Sequence, residues 1–232
     1  MTRMPGREVI DQMRAEQQFF STLQQFNYAS HEKQINHLIF QASNAAQNIP
    51  QFNQWPNNAE QFWNAESMLW KSRIPQEVRN GIMGELSFLN GVNIDLGAGS
   101  CCYVPNSIAV DFSEEMLHIN IAQQKVKADL EQKIPISDQL CTSATLIFVV
   151  NYIKNIEGLF NEVHRILKDN GQIAIVQSAA SVHGLHKLHY KNMHGEAELR
   201  LLLQYAGFVV ESYTKKIAGK ELLFFIGQKA IK

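Results

Sequence analysis

The stretch Asn93-Ile94-Asp95-Leu96-Gly97-Ala98-Gly99-Ser100 decides how this sequence is interpreted. An apolar strand runs directly into a Gly-x-Gly turn, and glycine permits a tight turn and a close approach of the backbone to a ligand. The next two predicted strands also end in a carboxylate, at Asp111 and Asp129. Because parallel strands end at the same edge of a sheet, these acidic residues predict a nucleoside-binding crevice at that edge.

From residue 92 onward, short apolar strands alternate with helices, which predicts a parallel α/β sheet. The predicted strands cover residues 92–96, 107–111, 125–128, 144–150 and 172–178, with helices after Ser113 and over 156–168 and 196–206. Two final strands, 208–216 and 222–230, are joined by a short turn and are therefore antiparallel.

The first part of the chain has a different pattern, with Gln-rich stretches and no strand-like alternation. It predicts helices over 7–26 and 30–47 and a third that begins near Asn57 or Asn58. We therefore expect an N-terminal helical cap or lid over residues 1–90 and a second domain over residues 91–232.

Composition and charge exclude several classes of protein. A chain of 232 residues with 45% apolar and 19% charged residues is neither disordered nor fibrous. Lys plus Arg number 21 against 22 Asp plus Glu, so no broad basic field exists and a nucleic-acid partner is not expected. No apolar run approaches the ~18 residues of a membrane helix, and three cysteines cannot form a disulfide scaffold. We expect a protein of the cytoplasm without a membrane partner.

Two nucleotide-binding motifs fit the glycine turn poorly. The dinucleotide fingerprint Gly-x-Gly-x-x-Gly fails because its third glycine position holds Cys102, and no Gly-Lys-Ser/Thr sequence of a phosphate-binding loop occurs.

Four segments in this order, 94–100, 110–117, 127–130 and 162–171, resemble the class I S-adenosylmethionine-dependent methyltransferases. The resemblance covers roughly residues 92–230 and implies a Rossmann-like, seven-stranded, mostly parallel sheet whose last strand is antiparallel. It implies S-adenosyl-L-methionine as the methyl donor and S-adenosyl-L-homocysteine as the product. Cys101 replaces a glycine that this family usually has.

The first crossover is also shorter than in that family. Only residues 97–106 separate the first two strands, whereas parallel strands usually need about a dozen residues or more. We predict a loop or a single turn in place of the helix. The aromatic segment around Trp63 and Trp70 is then the candidate that covers the exposed sheet face.

The resemblance also implies roles for particular residues at the donor site. Asp95, Gly97, Ala98 and Gly99 would cradle the methionine part, and Asp111 would hold the ribose. The remaining implied contacts are Phe112 against the adenine, Asp129 with Leu130 at its amine, and Phe148 beside the sulfonium, and Met116 is a further donor-binding residue.

Catalytic residues are harder to predict, since methyl transfer depends mainly on alignment and needs a general base only for a protonated acceptor. The weak candidates are Tyr152, which follows the fourth strand, His183 and His186 after the fifth, and Glu66. The two histidines are either solvated or contact the acceptor, and a metal site is not expected.

Glu66 lies within the apolar stripe of its helix, so it either reaches water at the edge of the stripe or is held at a pocket. Lys71 and Arg73 are either exposed or reach the carboxylate of the donor's methionine part.

The sequence therefore predicts a methyltransferase that acts on a small-molecule acceptor. The alternatives are a macromolecular acceptor, protein or tRNA, and a nucleoside-binding protein without turnover. The oligomeric state stays open.

Overall fold

The computed structural model describes residues 6–179 and 184–230. Seven strands lie within these residues: β1 (Asn93–Leu96), β2 (Ile108–Asp111), β3 (Gln124–Lys127), β4 (Cys141–Ile147), β5 (Leu167–Ser178), β6 (Phe208–Ile217) and β7 (Lys220–Lys229). The α-helices of the same residues are α1 (Arg7–Gln25), α2 (Glu32–Ala46), α3 (Ala59–Ser67), α4 (Trp70–Arg73), α5 (Gln76–Glu85), α6 (Glu114–Ile119), α7 (Ile156–Ile166) and α8 (Glu196–Tyr205).

The strands form one sheet in the order β3-β2-β1-β4-β5-β7-β6. Strands β1 to β5 run parallel to one another, and β7 runs antiparallel to both β5 and β6. The predicted α/β fold, a mostly parallel sheet with an antiparallel last strand, is confirmed. The parallel order brings the carboxyl ends of β1, β2 and β4 to one edge.

Local sequence explains how the helices beside the sheet begin. The Ser113 side chain accepts a hydrogen bond from the Met116 amide at 3.1 Å at the start of α6, and Asn155 does the same for Gly158 at 3.0 Å in α7. These caps satisfy amides that a helix leaves free at its first turn. The buried side of α7, including Phe160, packs into the main apolar core of the sheet.

Some boundaries differ from the predicted ones. Strand β4 ends at Ile147 because Phe148 takes a φ of +60°, which leaves the strand conformation. Strand β5 begins at Leu167, directly after α7, and its register with β4 shifts between Cys141 and Ser143.

The chain divides into two compact units. The helical unit contains the described residues up to Arg73 together with Gly184–Leu188, and the sheet unit contains residues 74–179 and 189–230. The unit boundary differs from the predicted one after residue 90, because α5 packs on β6, with Gly81 directly against Ile217.

The helical unit has an aromatic core. The rings of Phe19, Phe52, Trp55 and Phe62 lie in contact, and the side chain of Leu185 is buried in the same cluster. No helix of the described residues in either unit is long and apolar enough to span a membrane.

The first crossover has no helix between Leu96 and Ile108, as predicted. Polar side chains line the sheet face that such a helix would cover. Asn93 Nδ2 donates to Ser107 Oγ at 2.8 Å and to Thr145 Oγ1 at 3.2 Å, and Ser143 Oγ donates to Asn93 Oδ1 at 2.9 Å. Strand residues that bond to each other in this way do not need the apolar side of a helix.

The connecting loop folds back on this polar face. Ser107 Oγ donates to the carbonyl of Val104 at 2.6 Å, and Tyr103 and Val104 are both buried. The loop thus supplies part of the cover itself. The further cover by residues around Trp63 and Trp70 stays a prediction.

Candidate active site

The glycine turn after β1 is shaped by backbone contacts to β2. The amides of Gly97 and Ala98 both donate to the carbonyl of Val110, at 2.8 and 3.0 Å. Gly97 has a φ of +68°, and a Cβ atom there would lie 2.5 Å from a methyl carbon of Val149. The position therefore requires glycine, both for its backbone conformation and for lack of space.

Asp111 ties this turn to the start of α6. Its Oδ2 accepts from the Gly99 amide at 2.9 Å, and its Oδ1 accepts from the Ser113 amide at 2.9 Å. Burial raises the pKa of Asp111, and the backbone donors oppose that rise. Each carboxylate oxygen keeps a lone pair, so both can also accept a hydroxyl.

Asp95 is buried at the end of β1 with one oxygen unpaired. Thr145 Oγ1 donates to its Oδ1 at 2.8 Å, whereas Oδ2 has no hydrogen-bond partner among the described residues. Burial raises the pKa of Asp95 to about 7, although the Thr145 hydrogen bond lowers it and the Asp111 charge adds to the rise. Such an oxygen suits a ligand group that donates hydrogen bonds and carries positive charge.

Asn120 is a residue of this site that sequence reasoning missed. Its Nδ2 donates to the carbonyls of Gly99 and Cys101, at 2.8 and 3.2 Å, and its Oδ1 accepts from the Ala122 amide at 2.9 Å. The side chain is buried and fixes the outer half of the glycine turn. No local pattern points to this role, because the bonded carbonyls lie about twenty residues upstream.

The other residues that the resemblance places at the donor site have the following surroundings. Phe112 and Phe148 are half-buried, and Met116 is buried next to the α6 cap. Asp129 is exposed in the turn after β3, and its Oδ1 accepts from the Glu131 amide at 2.9 Å. Leu130 packs into the apolar core with α7.

Tyr152 follows β4 and contacts the chain that follows β5. Its ring centroid lies 4.9 Å from that of Tyr190 in an edge-on arrangement. The carbonyl of Asn151 accepts from the amides of Lys191 and Asn192, at 2.9 and 3.3 Å. The segments after β4 and β5 are thereby joined, and Tyr190 is a second residue that sequence reasoning missed.

Glu66 and His186 are 120 residues apart in sequence and meet in the helical unit. His186 Nε2 lies 3.0 Å from Glu66 Oε2, and Arg73 binds both carboxylate oxygens at 2.9 and 2.8 Å. Glu66 is 1% exposed, so the interpretation that it reaches water is wrong. Burial alone raises its pKa, but the hydrogen bonds and charges of Arg73 and His186 outweigh that effect and hold the pKa at about 2.

Arg73 is neither exposed nor available to a ligand carboxylate, because its guanidinium is buried and hydrogen-bonded within the helical unit. Besides Glu66 it donates to the side chain of Asn27 and to the carbonyl of Leu23. The expectation that it is exposed or reaches the methionine part of the donor is therefore wrong. Its function here is to neutralise a buried carboxylate.

The histidines after β5 have different environments. His183 lies outside the described residues. His186 stacks on Trp63, with 5.8 Å between ring centroids, and His194 Nδ1 lies 3.1 Å from Glu198 Oε1. The part of the chain that the structure describes contains no group of three or more side chains able to hold a metal ion.

The sequence of the sheet unit matches a family model of known function. Residues 94–175, which include the glycine turn, Asp111 and α7, match the model described as a methyltransferase domain. The chain therefore carries a methyltransferase domain, in agreement with its resemblance to the class I S-adenosylmethionine-dependent methyltransferases. S-adenosylmethionine is accordingly the methyl donor, and S-adenosylhomocysteine is the product.

Solved structures share the fold of this methyltransferase. It is similar to the methyltransferase in a complex with a methyltransferase activator from Haloferax volcanii, with 15% identity, a TM-score of 0.60 and coverage of 73% of this chain and 98% of that one. It is also similar to an S-adenosylmethionine-dependent methyltransferase from Thermotoga maritima, with 20% identity, a TM-score of 0.59 and coverage of 74% and 98%. No curated protein matches its sequence.

A third similar structure was solved with the donor. It is phosphoethanolamine N-methyltransferase 2 of Haemonchus contortus in complex with S-adenosyl-L-methionine, with 11% identity, a TM-score of 0.59 and coverage of 74% of this chain and 58% of that one. The residues of the present methyltransferase fit such a donor chemically. The unpaired oxygen of Asp95 suits an ammonium group, and the two oxygens of Asp111 suit hydroxyls.

Proposed function

We propose that the methyltransferase binds its donor at the edge formed by the ends of β1, β2 and β4 and methylates a small molecule. The main support for this donor site is the buried Asp95 carboxylate with its unpaired Oδ2. It lies beside a glycine turn whose Gly99 amide donates to Asp111. When bound, S-adenosylmethionine supplies a methyl group on an electrophilic sulfonium.

In this proposal each residue of the site has a binding or orienting role. Asp95 and the backbone of Gly97, Ala98 and Gly99 hold the methionine part, and Asp111 accepts the ribose hydroxyls. The remaining contacts follow the resemblance: Phe112 lies against the adenine, Asp129 and Leu130 lie at its amine, Phe148 lies beside the sulfonium, and Met116 is a further donor-binding residue. These residues fix the direction of the reacting bond, and alignment alone can contribute about 7–11 kcal/mol in favourable cases.

The charge balance of the chain supports a small-molecule acceptor. Tyr152, Tyr190 and Asn151 join the segments after β4 and β5 with aromatic and amide groups. A nucleic-acid acceptor needs several cationic contacts to phosphates, and the chain as a whole has a net charge of −1. Tyr152 is the candidate to contact the acceptor or take its proton.

The helical unit is proposed to act as the cap of the acceptor side. The connection after β5 contributes Gly184–Leu188 to the helical unit before the chain reaches Tyr190. In this proposal His186 and Glu66 position that connection, because both side chains are almost fully buried.

Calorimetry with S-adenosylmethionine and S-adenosylhomocysteine tests the donor site. Asp111→Ala removes the acceptor of two backbone amides and of the proposed ribose contact, so we expect affinity to fall at least about 10-fold, or 1.4 kcal/mol. Circular dichroism should show that the variant stays folded. Glu211→Ala, which changes an exposed acidic residue of β6, is the matched control and should bind both ligands normally.

Turnover then tests the acceptor class. Release of S-adenosylhomocysteine is measured with cell-extract fractions before and after ultrafiltration, RNase or protease treatment. Turnover with the low-molecular-weight fraction supports the proposal. Turnover that RNase or protease abolishes identifies a macromolecular acceptor and contradicts it. Failure of the unaltered protein to bind either ligand contradicts the donor site itself.

A further inference from the structure

Three buried polar atoms lack partners at the beginning of the first crossover. They are Asp95 Oδ2, Ser100 Oγ and the Tyr103 hydroxyl, and none has a nitrogen or oxygen hydrogen-bond partner among the described residues. Ser100 is 1% exposed and Tyr103 is 4% exposed, so bulk water does not satisfy them. Unpaired buried polar groups are costly and rare, and three within nine residues indicate that a bound molecule completes their hydrogen bonds.

The position of these atoms indicates which molecule that is. Asp95, Ser100 and Tyr103 flank the glycine turn, where we propose that the methionine part of the donor binds. That part carries an ammonium and a carboxylate. A carboxylate is an acceptor only, and the unpaired Asp95 oxygen cannot donate to it when ionised, whereas the two hydroxyls can.

The missing crossover helix makes such donors necessary. The amides at a helix N-terminus offer a ready anion-binding site, but residues 97–107 contain no helix. The amides of the glycine turn are already engaged, because those of Gly97 and Ala98 donate to the carbonyl of Val110 and that of Gly99 donates to Asp111. The hydroxyls of Ser100 and Tyr103 are the side-chain donors of this loop that can bind a ligand carboxylate.

The protonation state of Tyr103 suits a donor. Burial is the main cause that raises the pKa of its phenol well above 10, and the nearby charges of Cys101 and Asp95 add to the rise. The Arg79 cation on α5 lowers the phenol pKa and also contributes positive potential near the phenol. The side chain of Cys101 is a hydrogen-bond partner of the phenol, but a thiol is a weak partner that a carboxylate oxygen can replace.

We propose that the hydroxyls of Ser100 and Tyr103 donate hydrogen bonds to the carboxylate of the donor's methionine part, in place of the amides of a crossover helix, which residues 97–107 do not form. This inference rests on the proposed donor site. It assigns to two loop residues a binding role that the glycine motif does not include.

The test compares two ligands by calorimetry. S-adenosylhomocysteine carries the amino-acid carboxylate, and 5′-methylthioadenosine has the same adenosyl thioether without it. Tyr103→Phe should weaken S-adenosylhomocysteine at least 10-fold and change 5′-methylthioadenosine less than twofold. Ser100→Ala should act in the same direction, whereas Tyr205→Phe, at an exposed tyrosine, should change neither.

Stability of the ligand-free protein gives a second readout. Ser100→Ala removes a buried hydroxyl without a partner, and Tyr103→Phe loses only the weak contact to the Cys101 sulfur. We therefore expect the Tm of both ligand-free variants to stay nearly the same or rise. The Tm increase caused by S-adenosylhomocysteine should shrink in both variants.

Three outcomes overturn the inference. If Tyr103→Phe and Ser100→Ala bind S-adenosylhomocysteine like the unaltered protein, the hydroxyls do not contact the carboxylate, although the donor site stands. If they weaken both ligands equally, the residues only support the loop. If the unaltered protein binds neither ligand, the donor site itself is wrong.

Discussion

Asp95 ionises only at a cost, because burial raises its pKa from 3.8 to about 7. An acid whose pKa is higher in the folded state favours folding at low pH. That contribution is fully present below pH 4 and is lost as the pH rises towards 7. A shift of about three units corresponds to about 4 kcal/mol. The buried Asp95 carboxylate therefore lowers the folding stability of the ligand-free protein at neutral pH, and the same carboxylate can bind a cationic group of a ligand.

Asp95→Asn removes this titration. From pH 4 to pH 8, we expect the free energy of unfolding of the unaltered protein to fall by several kcal/mol relative to the variant. Urea denaturation at each pH measures the difference, and Glu211→Gln on the exposed side of β6 serves as the control. Parallel pH profiles for the unaltered protein and Asp95→Asn would show that Asp95 is ionised in the folded state without a penalty.

Asn120 stabilises the glycine turn from outside the motif, since its amide spans two carbonyls of the loop. Asn120→Asp keeps the size of the side chain but turns an oxygen towards both carbonyls. We expect a loss of about 1–3 kcal/mol in unfolding free energy, together with weaker S-adenosylhomocysteine binding. Thermal unfolding and calorimetry measure both. His118→Asn, which changes the same helix two residues earlier, is the control.

A variant Asn120→Asp that binds the ligand normally would show that the loop keeps its shape without these bonds. A loss of stability with unchanged affinity would separate the two effects and restrict Asn120 to a structural role.

Among the elements, α3, α4 and the connection after β5 meet at one buried charge cluster. Arg73 neutralises Glu66, and His186 shares the same carboxylate. Removing one partner of a buried ion pair leaves an uncompensated charge, so Arg73→Met should cost about 3–5 kcal/mol. Lys71→Met, at an exposed lysine of the same short helix, should cost little. Urea denaturation measures both variants.

The double variant Glu66→Gln, Arg73→Met distinguishes a paired charge from simple packing. If the pair carries the stability, the double variant is less destabilised than the sum of the single ones. Additive losses would contradict the pairing. Because the pKa of Glu66 is lowered to about 2, the contribution of the pair is present above about pH 4.5 and is lost as the pH falls through 2.

Local patterns were sufficient to predict the elements of the sheet and its antiparallel last strand, because strand and helix periodicity depends only on residues close together in the sequence. The short first crossover followed in the same way from the few residues between Leu96 and Ile108. The Glu66–His186 contact could not be predicted from local patterns, since only tertiary packing joins residues 120 positions apart. One available indication was overlooked: Asn93 and Ser143 are polar positions in strands that a parallel sheet would bury.

At the scale of the whole molecule, the chain order does not follow the two compact units. The chain passes from the helical unit to the sheet unit after Arg73, and the connection after β5 returns Gly184–Leu188 to the helical unit. The proposed donor residues all belong to the sheet unit, whereas Glu66 and His186 belong to the helical unit. Donor binding and the order of the helical unit should therefore respond to different substitutions.

Leu185 tests this separation, because its side chain is fully buried in the helical core while donor-site residues lie elsewhere in the chain. Leu185→Ala leaves a cavity, so we expect a loss of about 2–5 kcal/mol in the stability of the helical unit. Leu188→Ala, at a half-exposed leucine three residues later, should cost far less. Thermal unfolding and limited proteolysis measure the helical unit, and calorimetry measures S-adenosylhomocysteine. Normal affinity in Leu185→Ala, with faster cleavage near residue 185, is the expected result, and an affinity loss as large as that of Asp111→Ala would show that the donor site depends on the helical unit.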